Sequence, residues 1–130
     1  MSGSRGHRDL IVYQKAFALA MKIYYVSKKF PKEERYSLTD QIRRSSRSVA
    51  TCIAEAYRKR IYQAYFVSKI SDSDMENSET QVWLDFAFAC EYLDQREKEE
   101  LENDSEEVGR ILKSMIKSPE KFLPKGQKLA

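Results

Sequence analysis

The sequence predicts an all-α fold, an antiparallel up-down-up-down four-helix bundle, and three observations carry that prediction. Only four glycines and three prolines occur in 130 residues, most of them at the chain ends or between periodic segments, so long stretches lack helix breakers. Within those stretches apolar residues recur at the helical period, and no segment alternates apolar and polar residues strongly enough to compete. The connections are short, and short connections between long helices make consecutive helices antiparallel neighbours.

The first helix is expected from about Asp9 to Lys29. It stops at Phe30-Pro31, because proline pushes the residue before it out of the helical region. The second begins at Ser37, an N-cap candidate with Asp40 three residues on, and runs to about Lys59. The third spans about Ile61 to Leu93 and is the longest. The fourth opens at Asp94, whose carboxylate can cap the helix while Glu97 reaches back, and it ends at Ser118-Pro119. Its acidic opening, with Glu97, Glu99, Glu100 and Glu102, suits the positive end of the helix dipole. On this reading residues 9–118 form one bundle, between a flexible N-terminal tail (1–8) and a C-terminal tail (119–130). A chain of this length accommodates one core.

Apolar residues make up 42% and charged residues 33%, too apolar for a disordered chain and too evenly charged for a membrane protein. No uninterrupted apolar run approaches the roughly 20 residues needed to span a bilayer. The polar opening Met1 to Arg8 does not read as a signal peptide, so a cytoplasmic location is expected. Cys52 and Cys90 stand far apart with no Cys-x-x-Cys pair, and both are expected to be buried free thiols. The net charge of +3 conceals an asymmetry: residues 1–70 hold 15 Lys/Arg against 5 Asp/Glu, and residues 71–130 hold 8 against 15. A basic surface patch suited to an anionic partner follows.

Helix 1 offers a core stripe of Leu10, Tyr13, Phe17, Met21 and Tyr24; helix 2 offers Leu38, Ile42, Val49, Ile53 and Ala56; helix 4 offers Leu101, Val108, Leu112 and Met115. Helices 1 and 3 each carry a second apolar stripe. On helix 1 it contains Val12, Leu19, Ile23, Val26 and Phe30. On helix 3, Tyr62, Phe66, Ile70, Leu84 and Phe88 oppose Met75, Val82, Phe86 and Leu93. A bundle helix needs one buried face, so the second stripes are expected to be subunit interfaces of a homo-oligomer, through Leu19, Ile23, Val26, Met75, Val82 and Phe86; a wide core with a few exposed apolar side chains is the other reading. Ser73, Asn77 and Thr80 interrupt the main stripe of helix 3; if buried, each needs a hydrogen-bond partner, and their expected role is to set the bundle register.

Catalytic chemistry is not expected. The single histidine, His7, has no partner for a metal site or a nucleophile-base pair, and no glycine-rich phosphate loop occurs, so neither metal nor cofactor is predicted. The acidic cluster Asp72, Asp74, Glu76 and Glu79 lacks the central glycine of a calcium loop and reads as a solvated helix face. The candidate functional feature is basic. Arg43, Arg44, Arg47 and Arg58 fall on one side of helix 2, opposite its apolar stripe, and Lys15, Lys22 and Lys29 line up on helix 1 at seven-residue spacing. Guanidinium groups match phosphate oxygens in a planar fork, so these residues are candidate nucleic-acid contacts, although no aromatic platform stands out beside them. A merely solvated basic face is the other reading.

Phe30-Pro31, Leu38-Thr39-Asp40-Gln41-Ile42-Arg43-Arg44, Ser48-Val49-Ala50 and Ile53-Ala54-Glu55, followed by Ser73, Glu76 and Glu79-Thr80-Gln81, give the chain a recognisable pattern. From about Asp9 to Lys117 it resembles the four-helix bundle family associated with intervening sequences of bacterial 23S ribosomal RNA genes, the S23-type proteins. It departs at Cys52 and Ala56, where the family often shows Asn-Ile-Ala-Glu-Gly, and at Asp72-Ser73, where Gly-Ser is common. The resemblance implies a non-enzymatic bundle that assembles into a ring, commonly a pentamer, with a link to structured RNA. A related branch, the accessory proteins of diversity-generating retroelements, binds nucleic acid and a reverse transcriptase. Two function classes therefore stand: an oligomeric accessory protein that binds RNA or DNA, and a structural or protein-interaction module without a nucleic-acid role.

Overall fold

The computed structural model describes residues 3–122, and among these it contains four long helices and no strand. They are α1 (Ile11–Ser27), α2 (Leu38–Arg58), α3 (Gln63–Ala89) and α4 (Gln95–Lys117). Each packs on its neighbours in sequence and α4 closes on α1, giving the square antiparallel bundle that the periodicity predicts. Short 3-10 turns at Gly6–Asp9, Lys32–Glu34 and Pro119–Phe122 finish its ends.

The helix boundaries show local chemistry at work. Asp94 and Glu97 form the expected capping box, with the Glu97 N–H donating to Asp94 Oδ1 at 2.7 Å and the Asp94 N–H to Glu97 Oε1 at 3.0 Å. At the start of α2 the cap differs from expectation. Ser37 makes no capping bond; its hydroxyl donates to Glu34 Oε1 at 2.7 Å, and that same oxygen accepts from the Leu38 N–H at 3.4 Å. α3 ends four residues before the expected Leu93, in a turn where the Tyr92 N–H reaches the Ala87 carbonyl at 2.8 Å and the Glu91 N–H that of Phe88 at 2.9 Å. Glu91 takes φ of 66°, a conformation usually left to glycine, so no sequence signal marks the stop.

Where they are described, the two tails expected at 1–8 and 119–130 carry short 3-10 turns that pack on the bundle. Gly6, at φ of 69°, turns the chain so that His7 meets the Tyr13 ring edge-on at 4.7 Å. Pro119 is buried, and Phe122 stacks on Phe66 at 5.9 Å. Residues 123–130 lie outside the described part.

The apolar interior falls into two clusters. Val12, Val49, Ile53, Phe66, Ile70 and Leu112 lead one, and Leu19, Ile23, Ile42, Leu84 and Leu101 lead the other. On α2, α3 and α4 the residues between the clusters are polar: Ser45, then Ser73, Asn77 and Thr80, then Ser105, all buried. Every one of them has a partner. Ser73 donates to the Val49 carbonyl at 2.8 Å, Ser45 and Thr80 share a hydroxyl hydrogen bond at 2.8 Å, and Gln81 donates to Ser105 Oγ at 2.9 Å. A satisfied polar layer between apolar ones fixes the vertical register, because sliding a helix would strand these groups without partners.

The two stripes of α1 are exchanged relative to expectation. Leu19 and Ile23, expected at a subunit interface, are 3% and 0% exposed inside this chain's own core, and Val26 packs partly against them. Phe17 and Met21, expected in the core, are exposed. Both stripes are apolar, so the helix's own periodicity does not select between them; the buried one is the stripe that faces the other three helices, where Leu19 and Ile23 pack against Ile42, Leu84 and Leu101. On α3 the expectation holds as to exposure: Met75, Val82 and Phe86 are 64%, 46% and 54% exposed. Cys52 is half-buried, and Cys90, expected to be buried, is exposed because α3 has ended there.

Candidate nucleic-acid interface

Which helices adjoin decides where the charge goes. α1 and α2 lie in the basic half of the sequence and α3 and α4 in the acidic half, so the square has two mixed seams. Across the α1/α4 seam Lys15 pairs with Glu107 at 3.2 Å, Lys22 with Asp104 at 2.7 Å and Glu100 at 3.1 Å, and Lys29 with Glu97 at 2.5 Å. Seven-residue spacing on both sides makes this possible: Glu97 and Asp104, like Glu100 and Glu107, repeat at the lysine interval. Lys29 holds the Glu97 carboxyl below the usual range, and Asp104 with Glu100 raises the Lys22 ammonium above its own. These pairs are half-exposed and each contributes about 0–1 kcal/mol, so their main effect is to neutralise the lysine line.

Across the α2/α3 seam Arg44 pairs with Glu79 and stands 3.5 Å from Glu76, while Lys69 reaches Glu55 at 3.2 Å. Lys15, Lys22, Lys29 and Arg44, all expected to touch nucleic acid, are thus engaged by acids of the same chain. A phosphate would have to displace those acids first.

The α1/α2 seam brings basic helix against basic helix, and here cations gather without acids. Arg43 donates from Nε to Ser27 Oγ at 2.8 Å, with its guanidinium 4.8 Å from the Tyr24 ring centroid. The Arg47 guanidinium is 5.9 Å from the same ring, and Lys28 Nζ lies 5.0 Å from Tyr24 and 5.2 Å from Tyr25. Neither arginine, nor Lys28, has an ion-pair partner among the described residues. The two rings meet edge-to-face at 5.2 Å, and Tyr25 is 61% exposed. The expectation that no aromatic group stands beside the arginines is therefore corrected: Tyr24 lies among them. Sequence reasoning missed it by assigning Tyr24 to the core stripe, and Lys28 by following only the heptad lysines. Arg58 lies on the same side of α2 as Arg47, about 16 Å further along the helix at 1.5 Å per residue.

Residues 8–114 match the family described as 23S rRNA-intervening sequence protein. The chain belongs to that family. A solved crystal structure from Bacteroides thetaiotaomicron, of a protein of unknown function from the S23 ribosomal protein family, is similar at 29% identity and a TM-score of 0.73. The match covers 82% of this chain and 99% of that one, so the four-helix arrangement is common to both. No curated protein matches. In this chain the Gln41-Ile42-Arg43-Arg44 segment is divided by the fold. Ile42 enters the core, Arg43 turns to the α1/α2 seam and Arg44 to α3. Among the described residues no helix is long and apolar enough to cross a membrane.

Proposed function

We propose that this protein is a non-catalytic, self-associating bundle that binds nucleic acid along the α1/α2 seam. One observation carries the reading: Lys28, Arg43 and Arg47 gather round Tyr24, with Lys28 also over Tyr25, and no acid is paired to them among the described residues, whereas the other seams neutralise their cations. Cations without internal partners release counterions when they meet phosphates, and an exposed ring beside them offers a stacking surface. Family membership supports the reading through the family's link to 23S rRNA intervening sequences. The uncharged outward line of α3, with Met75, Val82 and Phe86 exposed, supports self-association, which would repeat the seam in space and multiply weak contacts.

The test is binding of a structured RNA and of a duplex DNA, followed by anisotropy at two salt concentrations. Lys28→Glu with Arg47→Glu is expected to abolish tight binding, while Lys22→Gln, in the neutralised ladder, leaves it within about twofold. For duplex DNA the slope of log affinity on log salt should become shallower by about 0.9 for each phosphate that the variant no longer neutralises. Wild-type affinity and slope in the double variant would leave the structural-module reading in its place.

A further inference from the structure

One end of the bundle gathers the N-terminus of α1, the α2–α3 turn and the C-terminus of α4, and it carries charge that the ion-pair ladders do not reach. Arg8, Arg58, Lys59, Arg60, Lys117 and Lys121 lie there without an ion-pair partner among the described residues. Three acids share this end: Asp9 is paired with Arg5 at 3.2 Å, Glu55 with Lys69, and Glu120 stands exposed beside Lys121. The opposite end is mixed: Glu33, Glu34, Glu91, Asp94 and Glu97 stand there beside Lys29, Lys32, Arg35 and Arg96.

This basic end also exposes aromatic surface. Tyr62 and Tyr65 are 62% and 40% exposed, and Ile61 between the helices is 48% exposed. Between the Gly6–Asp9 turn, the last turn of α2 and the first of α3 lies a recess of about 410 Å³, lined by His7, Ala54, Glu55, Arg58, Lys59 and Tyr65. Its rim holds Arg58 and Lys59 beside the Glu55 carboxylate, which Lys69 pairs at 3.2 Å, and one wall is a phenol ring, over which Lys59 Nζ sits at 5.3 Å. Burial and the neighbouring Arg8 hold His7 below its ordinary range, which keeps its imidazole neutral near pH 7. An apolar, partly aromatic hollow with two unpaired cations on its rim suits a flat heterocycle with a phosphate on either side. A duplex offers no such object at its surface, since its bases are stacked and paired inside; an unpaired strand does.

The geometry points to this recess as a site for one unpaired nucleobase of a nucleic-acid strand, stacked on Tyr65 with its flanking phosphates on Arg58 and Lys59. The inference rests on the nucleic-acid reading above and specifies its substrate as single-stranded. Charge complementarity selects the occupant, and Ala54 lines both this recess and the α1/α2 groove beside Arg47, so the two adjoin along the path that a strand following α2 from the Tyr24 cluster would take.

The experiment uses the full chain with a fluorescent oligouridylate, an abasic oligomer of the same length, and a blunt RNA duplex. Wild type is expected to bind the oligouridylate more tightly than the abasic strand, which carries the same phosphates without bases. Tyr65→Ala, checked for unchanged helicity, should weaken oligouridylate binding at least about fivefold, leave the abasic strand unaffected, and be restored by Tyr65→Phe. Arg58→Ala should instead lower the salt slope on both strands by about 0.7. Equal wild-type affinity for the oligouridylate and the abasic strand, or unchanged binding by Tyr65→Ala, overturns the recess assignment while leaving the seam reading standing. Failure of all three probes at low salt sinks both. Preferential binding of anionic phospholipid vesicles that displace the oligouridylate would also overturn it.

Discussion

Asn77 and Ser105 hold each other in both directions across the middle of the bundle. Asn77 Nδ2 donates to the Ser105 carbonyl at 2.9 Å, and the Ser105 hydroxyl returns a bond to Asn77 Oδ1 at 2.9 Å. Both side chains are essentially out of solvent, and the pair sits where the two apolar clusters part. Gly109, one turn further along α4, is there because Asn77 is: a Cβ on Gly109 would come within 3.2 Å of Asn77 Nδ2.

Removing the amide leaves the Ser105 hydroxyl short of an acceptor in the interior. Asn77→Ala is therefore expected to cost about 1–3 kcal/mol in urea unfolding. Gly109→Ala alone should bring no gain, because the helix preference for alanine, worth up to about 1 kcal/mol, is offset by the displaced amide. In the Asn77→Ala background the same change should stabilise by about 0.5–1 kcal/mol. Equal effects in the two backgrounds would show that Gly109 and Asn77 are not coupled.

The Tyr92 hydroxyl donates to Glu34 Oε2 at 2.9 Å, tying the α1–α2 connection to the α3–α4 one. Hydrogen bonds from Ser37 and Tyr92 hold the Glu34 carboxyl below its ordinary value, and the carboxylate pushes the Tyr92 phenol from 10.0 to about 12. Linkage sets the direction of each effect on stability. Glu34's contribution is present above its unfolded pKa and disappears as pH falls through the lower folded one. Tyr92's is full below pH 10 and is lost as pH climbs towards 12. Phenolate absorbance should show a late phase as pH climbs towards 12, and Tyr92→Phe should abolish it. A titration curve that Tyr92→Phe leaves without loss at its late end would contradict the bond.

Self-association through α3 has a test built on the exchange of stripes. Val82→Lys with Phe86→Lys places ammonium groups on an exposed line, so light scattering should show a shift to single chains that remain helical. Ile23→Lys should behave differently. Its side chain is fully buried in this chain's own core, so an unpaired charge there should unfold the bundle rather than dissociate it. A wild-type mass of one chain at high micromolar concentration would overturn the interface.

The legibility of the molecule varied with the kind of signal. Helix positions, the Asp94-Glu97 box and the need of Ser73, Asn77 and Thr80 for partners were all readable, because each is a local rule or a single periodicity. The end of α3 was not, since Glu91 adopts a left-handed turn without the glycine that announces one. The buried side of α1 was not readable either: two apolar stripes of similar strength leave the choice to neighbouring helices. The candidate site suffered most. Lys15, Lys22 and Lys29 look available on α1 alone, and only the matching repeat of acids on α4, read together with the closure of the square, shows them engaged. Tyr24 was hidden by its own hydrophobicity.

The lysine ladder between α1 and α4 has a bearing on how the molecule is made. Its cations leave the ribosome early and its acids late, since Lys15 waits for Glu107. A chain whose α4 has not yet emerged has no acids to set against Lys15, Lys22 and Lys29, and the apolar residues that α4 covers, Ile23, Ile70 and Leu84 among the core they belong to, lack that cover. An apolar opening edged with like charges repels a second nascent chain in the same state, at the stage when aggregation is the main hazard. The arriving acids of α4 then cancel the repulsion and cover the opening in one step.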